Sequence, residues 1–90
     1  RENSDYLKRR LARLKKVKVI TPRNWERSAG LVSIAIDGGS SEQAFHQLLS
    51  LGIVARYTPP PSYIRFSVNY FNTLSELDRL IEAVKRISDS

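Results

Sequence analysis

Residues 64–73, Ile-Arg-Phe-Ser-Val-Asn-Tyr-Phe-Asn-Thr, run directly into Leu74-Ser75-Glu76-Leu77-Asp78-Arg79-Leu80-Ile81, so a two-residue hydrophobic period gives way to a helical one at a single joint. Ile64, Phe66, Val68 and Tyr70 belong on one face of an extended segment, and Arg65, Ser67 and Asn69 project together from the other. Beyond the joint, Leu77, Leu80, Ile81, Val84 and Ile87 form a long apolar stripe, and Thr73 and Glu76 have the spacing of a capping box. The chain must therefore lay a helix against one face of a strand while the opposite face carries a guanidinium. A guanidinium in that position can grip a carboxylate through two parallel hydrogen bonds.

The remaining elements follow from the same periodicities. Leu7, Leu11 and Leu14 recur at helical spacing, with Tyr6 beside them, and predict a first helix over 4–16. Residues 17–21 read as a strand and 22–30, which include Trp25, as a loop. Residues 31–37 form the next strand, broken by Gly38 and Gly39. Ser40 and Gln43 suit a capping box for a helix striped by Ala44, Phe45, Leu48 and Leu49. Gly52 fits a left-handed helix end, 53–58 a third strand, and Pro59-Pro60-Pro61 a stiff connection into a strand at Tyr63. The order α-β-β-α-β-β-α predicts an α+β two-layer sandwich, a mostly antiparallel four-stranded sheet with helices on one face. That face would be lined by Val32, Ile34, Ile36, Ile64, Phe66, Val68 and Tyr70, leaving the Arg65 face uncovered.

Ninety residues make one small domain, in which only about 60–65% of the unfolded surface can be buried. No cysteine is present, which excludes disulfides, thiolate zinc sites and persulfide chemistry on these residues. No methionine is present either, and the first residues already read as helix, so the chain is expected to be a fragment of a longer protein. No apolar run approaches bilayer length, and no signal-peptide core precedes the first helix, which makes a cytoplasmic, non-membrane protein the expectation. One histidine and scattered carboxylates match no metal-ligand spacing. Gly38-Gly39 is an isolated pair, more often a turn than a phosphate cradle.

The net charge of +6 is not spread along the chain: residues 1–18 hold eight of the fifteen Lys and Arg residues against two of the nine acids. The whole excess lies there, and residues 19–90 are neutral.

Strand, Arg65, Ser67, then Asn72-Thr73 opening an acidic amphipathic helix resembles the C-terminal small domain of class V aminotransferase-like enzymes, the pyridoxal phosphate group that includes cysteine desulfurases and cystine lyases. Ala29-Gly30-Leu31-Val32-Ser33-Ile34 is similar to an earlier strand of that domain, and Leu51-Gly52-Ile53-Val54-Ala55-Arg56 to its Gly-Ile-x-x-Arg step from helix to strand. The resemblance spans about 17–87. It implies that Arg65 binds the α-carboxylate of an amino-acid substrate and that Arg56 helps hold the substrate or shape the pocket. It also implies a missing large domain that carries most of the pyridoxal phosphate site and the Schiff-base lysine, with residues 1–16 as a linker helix and 17–90 as the small domain. The parent would be an enzyme and a homodimer, and the isolated chain inactive. No catalytic or cofactor-binding residue is assigned within these residues. His46, the one histidine, is followed by Gln47 within a helix and is read as a surface residue.

Two departures bear on the reaction. Cysteine desulfurases carry a longer loop with a sulfur-accepting cysteine where this chain passes from Arg56-Tyr57-Thr58 into three prolines. That points to a cysteine or cystine C–S lyase or an aminotransferase. Phe71 stands where relatives commonly have tyrosine. The rival reading is a basic α+β module that binds nucleic acid, the first helix on phosphates and Tyr63, Phe66, Tyr70 and Phe71 as stacking platforms. It is disfavoured because Phe66 and Tyr70 share the face that helices should cover. A third reading, a dimerisation module using the uncovered sheet face, would show in the oligomeric state of the chain.

Overall fold

The structure, a computed structural model, describes residues 2–20, 30–37, 41–58, 63–68, 71 and 73–89. In order they form α1 (Glu2–Ala12), β1 (Val17–Val19), β2 (Leu31–Ile36), α2 (Ser41–Ser50), β3 (Arg56–Thr58), β4 (Tyr63–Ser67) and α3 (Leu74–Asp89). The expected order is found. The strands form one antiparallel sheet, β1-β2-β4-β3, in which the long strands β2 and β4 are central neighbours and β1 and β3 are short edges.

Register follows the hydrophobic alternation. Val32 faces Phe66 and Ile34 faces Ile64, and all four are fully buried. Leu7 and Leu11 of α1, Ala44 and Leu48 of α2, and Leu77, Leu80, Ile81 and Val84 of α3 join them in a single core. Each large side chain buried there is worth about 1.5–3 kcal/mol of transfer free energy. The α1 leucines thus share the core of residues 17–90. A second tie reinforces this: the Tyr6 hydroxyl donates to Asp78 Oδ1 of α3 at 2.5 Å, and Arg10 Nη1 donates to the Tyr6 oxygen at 2.7 Å.

The helix ends have clear local causes. Thr73 Oγ1 accepts from the Glu76 N–H, and Glu76 Oε1 accepts from the Thr73 N–H, both at 3.2 Å, so the expected capping box starts α3. At the end of α2, Gly52 has φ of 81°. Its N–H donates to Leu49 O at 2.9 Å and the Ile53 N–H to Leu48 O at 3.0 Å, the paired bonds of a Schellman ending.

Several boundaries differ from expectation by one to four residues, and three of them have a clear cause in the backbone hydrogen bonds. α1 stops at Ala12 and not at residue 16, because Arg13 and Leu14 donate three residues back, to Arg10 O and Leu11 O, and tighten the spiral into a turn. β3 begins at Arg56 and not at residue 53, because the Ile53 N–H is used by the helix ending. β4 ends at Ser67: Val68 still donates to Gly30 O at 2.9 Å, but Phe71 N–H turns back to Val68 O at 3.0 Å. Thr21, the 22–29 loop with Trp25, Gly38-Gly39-Ser40, the three prolines, Asn69 and Tyr70 lie outside the described residues.

Candidate functional site

Because β4 alternates, Arg65 points away from the core between buried Ile64 and Phe66. Its register partner on β2 is Ser33, and its partner on β3 is Arg56. Arg65 Nε lies 3.5 Å from Ser33 Oγ, and Ser33 is only 1% exposed beneath it. The Arg65 face is therefore less open than the alternation alone suggested. Arg65 is itself half-buried, whereas Arg56 is exposed.

Directly opposed residues of an antiparallel pair have Cβ atoms about 4.5–5.5 Å apart, so like charges there repel. Two guanidiniums across one ladder therefore concentrate positive potential, and an anion between them removes the penalty.

The arginines line a concavity of about 640 Å³ at one end of the sheet, where β2 begins, β4 ends and β3 begins. Leu31 and Ser67 form its inner wall, and Val54 and Ala55 supply the segment leading into Arg56. Phe45 of α2 and Tyr57 of β3 complete the apolar side, their ring centroids 5.8 Å apart. A polar, doubly cationic floor with an aromatic flank suits a small molecule bearing a carboxylate and an uncharged body.

Sequence reasoning placed Arg65 and Arg56 singly, and the fold brings them together. It missed Ser33, Leu31, Phe45 and Tyr57, whose participation depends on β2 lying beside β4 and on α2 covering β3. Among the described residues no group of three or more His, Cys, Asp or Glu side chains could hold a metal. His46 is exposed on α2, 3.9 Å from Glu42, as expected of a surface residue. Phe66 is fully buried and so unavailable for stacking on bases. No helix among the described residues is long and apolar enough to cross a membrane.

No family model matches the sequence, and no curated protein matches it. Solved structures do. The cystine C–S lyase C-DES in complex with its reaction product cysteine persulfide superimposes with a TM-score of 0.76 at 27% identity, over 98% of this chain and 22% of that one. A lysine-to-alanine variant of C-DES with glycine covalently linked to its PLP cofactor gives 0.77 and 26% over the same shares. The chain thus spans about a fifth of the length of the structures it matches. Along nearly its whole length this chain resembles one domain of a cystine C–S lyase, a likeness that supports a class V aminotransferase-like domain.

Proposed function

We propose that the chain is the C-terminal small domain of a pyridoxal phosphate-dependent, class V aminotransferase-like enzyme acting on an amino acid, and that it supplies the grip on the substrate carboxylate. The observation that carries this reading is the placement of Arg56 directly across from Arg65, both lining the 640 Å³ concavity. Among classes of chemistry, a C–S lyase acting on cysteine or cystine is the reading best supported, by the likeness to C-DES and by the absence of any cysteine for a sulfur relay. An aminotransferase is the alternative reaction on the same scaffold.

Nothing among the described residues resembles a phosphate cradle, so the cofactor would be held mainly by a large domain outside this chain, which would also complete a cytoplasmic homodimer. When bound, pyridoxal phosphate acts as the electron sink for the substrate's Cα carbanion. The residues here do the positioning. Arg65 pairs with the carboxylate in a planar, two-bond geometry that a lysine cannot reproduce. Ser33 steadies the Arg65 side chain from below, and Arg56 adds a second cation from the facing strand. The capping box of α3 fixes the start of the helix that follows β4, whose buried stripe packs in the same core as Ile64 and Phe66 on either side of Arg65. Alone, the chain would be inactive.

The test is the visible absorption of the full-length parent before and after borohydride, followed by cystine. A reducible band perturbed by cystine, together with a raised KM in Arg65→Lys, is the expected result. A parent with no such band, even after cofactor is added, would defeat the reading.

A further inference from the structure

The positive charge that the proposed site does not use lies at the other edge of the sheet. β1 and β3 are its two edges, separated by three strand spacings, about 14 Å. Around the β1 edge, Lys8, Arg9 and Arg13 follow one another along α1 and its closing turn, Lys15 and Lys16 continue the turn, and Lys18 projects from β1. All but Lys8 are exposed, and none of these six has a carboxylate partner among the described residues. Arg10 is excluded from the set because Tyr6 and Asp78 occupy it.

We infer that this rim binds the phosphate backbone of a double-stranded nucleic acid, without reading its sequence. An anionic membrane fits poorly: an interfacial helix needs an apolar face to insert, and Leu7 and Leu11 of α1 are fully buried in the core. A second copy of the chain offers no complement, because residues 19–90 are neutral and the exposed acids of α3, Glu76, Asp78 and Glu82, alternate with Arg79, Lys85 and Arg86. An acidic protein surface would be expected to meet a large apolar or aromatic anchor at the centre of the patch. Arg9, Ala12, Arg13, Lys15 and Lys16 present none. Single strands call for exposed rings on which bases stack, whereas the Tyr6 hydroxyl is tied to Asp78. A closely spaced line of phosphates is the partner that clustered, unpaired cations on a fixed scaffold suit. The inference rests on this charge distribution and is independent of the amino-acid site.

The test uses the full-length parent, a mixed-sequence DNA duplex, anionic vesicles and polyglutamate. With four to six phosphates neutralised, affinity for the duplex should fall about a hundred- to a thousandfold between about 50 and about 200 mM salt. The triple variant Arg9→Gln, Arg13→Gln, Lys16→Gln should bind more weakly than wild type at low salt with a slope shallower by about 2.7, so that the gap between the two proteins narrows roughly fortyfold from about 50 to about 200 mM salt. Its circular dichroism and its amino-acid turnover should be unchanged. Absence of duplex binding at low salt, undiminished binding by the triple variant, or equal affinity for polyglutamate or vesicles would each overturn the inference.

Discussion

Arg56 and Arg65 face each other across the β3–β4 ladder as the only directly opposed like-charged pair among the described residues of the sheet. Such a pair costs folding free energy in the absence of an anion, by an amount within the roughly 0.2–1 kcal/mol range of cross-strand pairs. Arg56→Ala should therefore leave the thermal stability of the 90-residue chain unchanged or slightly higher. A fall of several degrees in Tm would show that Arg56 serves packing and not anion binding.

Removing the other member tests the site directly. A charge-assisted contact is worth about 1.5–3 kcal/mol, so Arg65→Ala in the parent enzyme should raise KM for the amino acid roughly ten- to a hundredfold. Arg65→Lys keeps the charge but loses the planar fork, and its KM should lie nearer to that of the alanine variant than to wild type. Unchanged steady-state kinetics in both variants would remove Arg65 from the site.

How much of this was legible in the sequence depended on the range of the interactions concerned. The Thr73–Glu76 cap and the Gly52 ending depend on residues within one turn of each other, and the spacing alone predicted both. The burial of Ile64 and Phe66 followed from alternation, because a strand with one apolar face has one way to sit on a core. Ser33 beneath Arg65 was not legible: their contact joins residues 32 apart in sequence and requires β2 to be the neighbour of β4. The start of β3 was misplaced because Val54 and Ala55 read as strand by composition, while the Ile53 N–H had already been taken by α2. Nor does the leucine stripe of α1 say which body it packs on; Leu7 and Leu11 lie in the core shared with α2 and α3.

That shared core gives a stability prediction. Leu11 is fully buried, and Leu11→Ala should destabilise the chain by about 2–5 kcal/mol, measured by urea denaturation. A helix acting only as a tether would lose nothing by the same change.

The cap at the start of α3 should contribute less, since it is exposed. Thr73→Ala is expected to cost about 0.5–2 kcal/mol, whereas Thr73→Ser, which keeps the acceptor, should cost little. Equal losses for both variants would place the effect in the methyl group and not in the hydrogen bond.

The contact of Tyr6 with Asp78 predicts a pH dependence at the alkaline end. Its hydrogen bond to Asp78 is the main cause that raises the phenol pKa above its usual 10, with a smaller contribution from desolvation, while the Arg10 charge opposes the shift. Raised in the folded state, the group favours folding fully below pH 10 and loses that contribution as pH climbs through the higher folded value. The tie between α1 and α3 is therefore intact at neutral pH, and phenolate formation breaks it by removing the donated proton from a position beside a carboxylate. Denaturation of wild type and Tyr6→Phe should differ by a constant amount between about pH 6 and pH 9 and converge above about pH 10. The ultraviolet titration of the tyrosines should lose a component above pH 10 in the variant. A gap between the two proteins that widens as pH rises past 10 would mean that the phenolate is the better partner, through Arg10, and that Asp78 does not accept the Tyr6 proton.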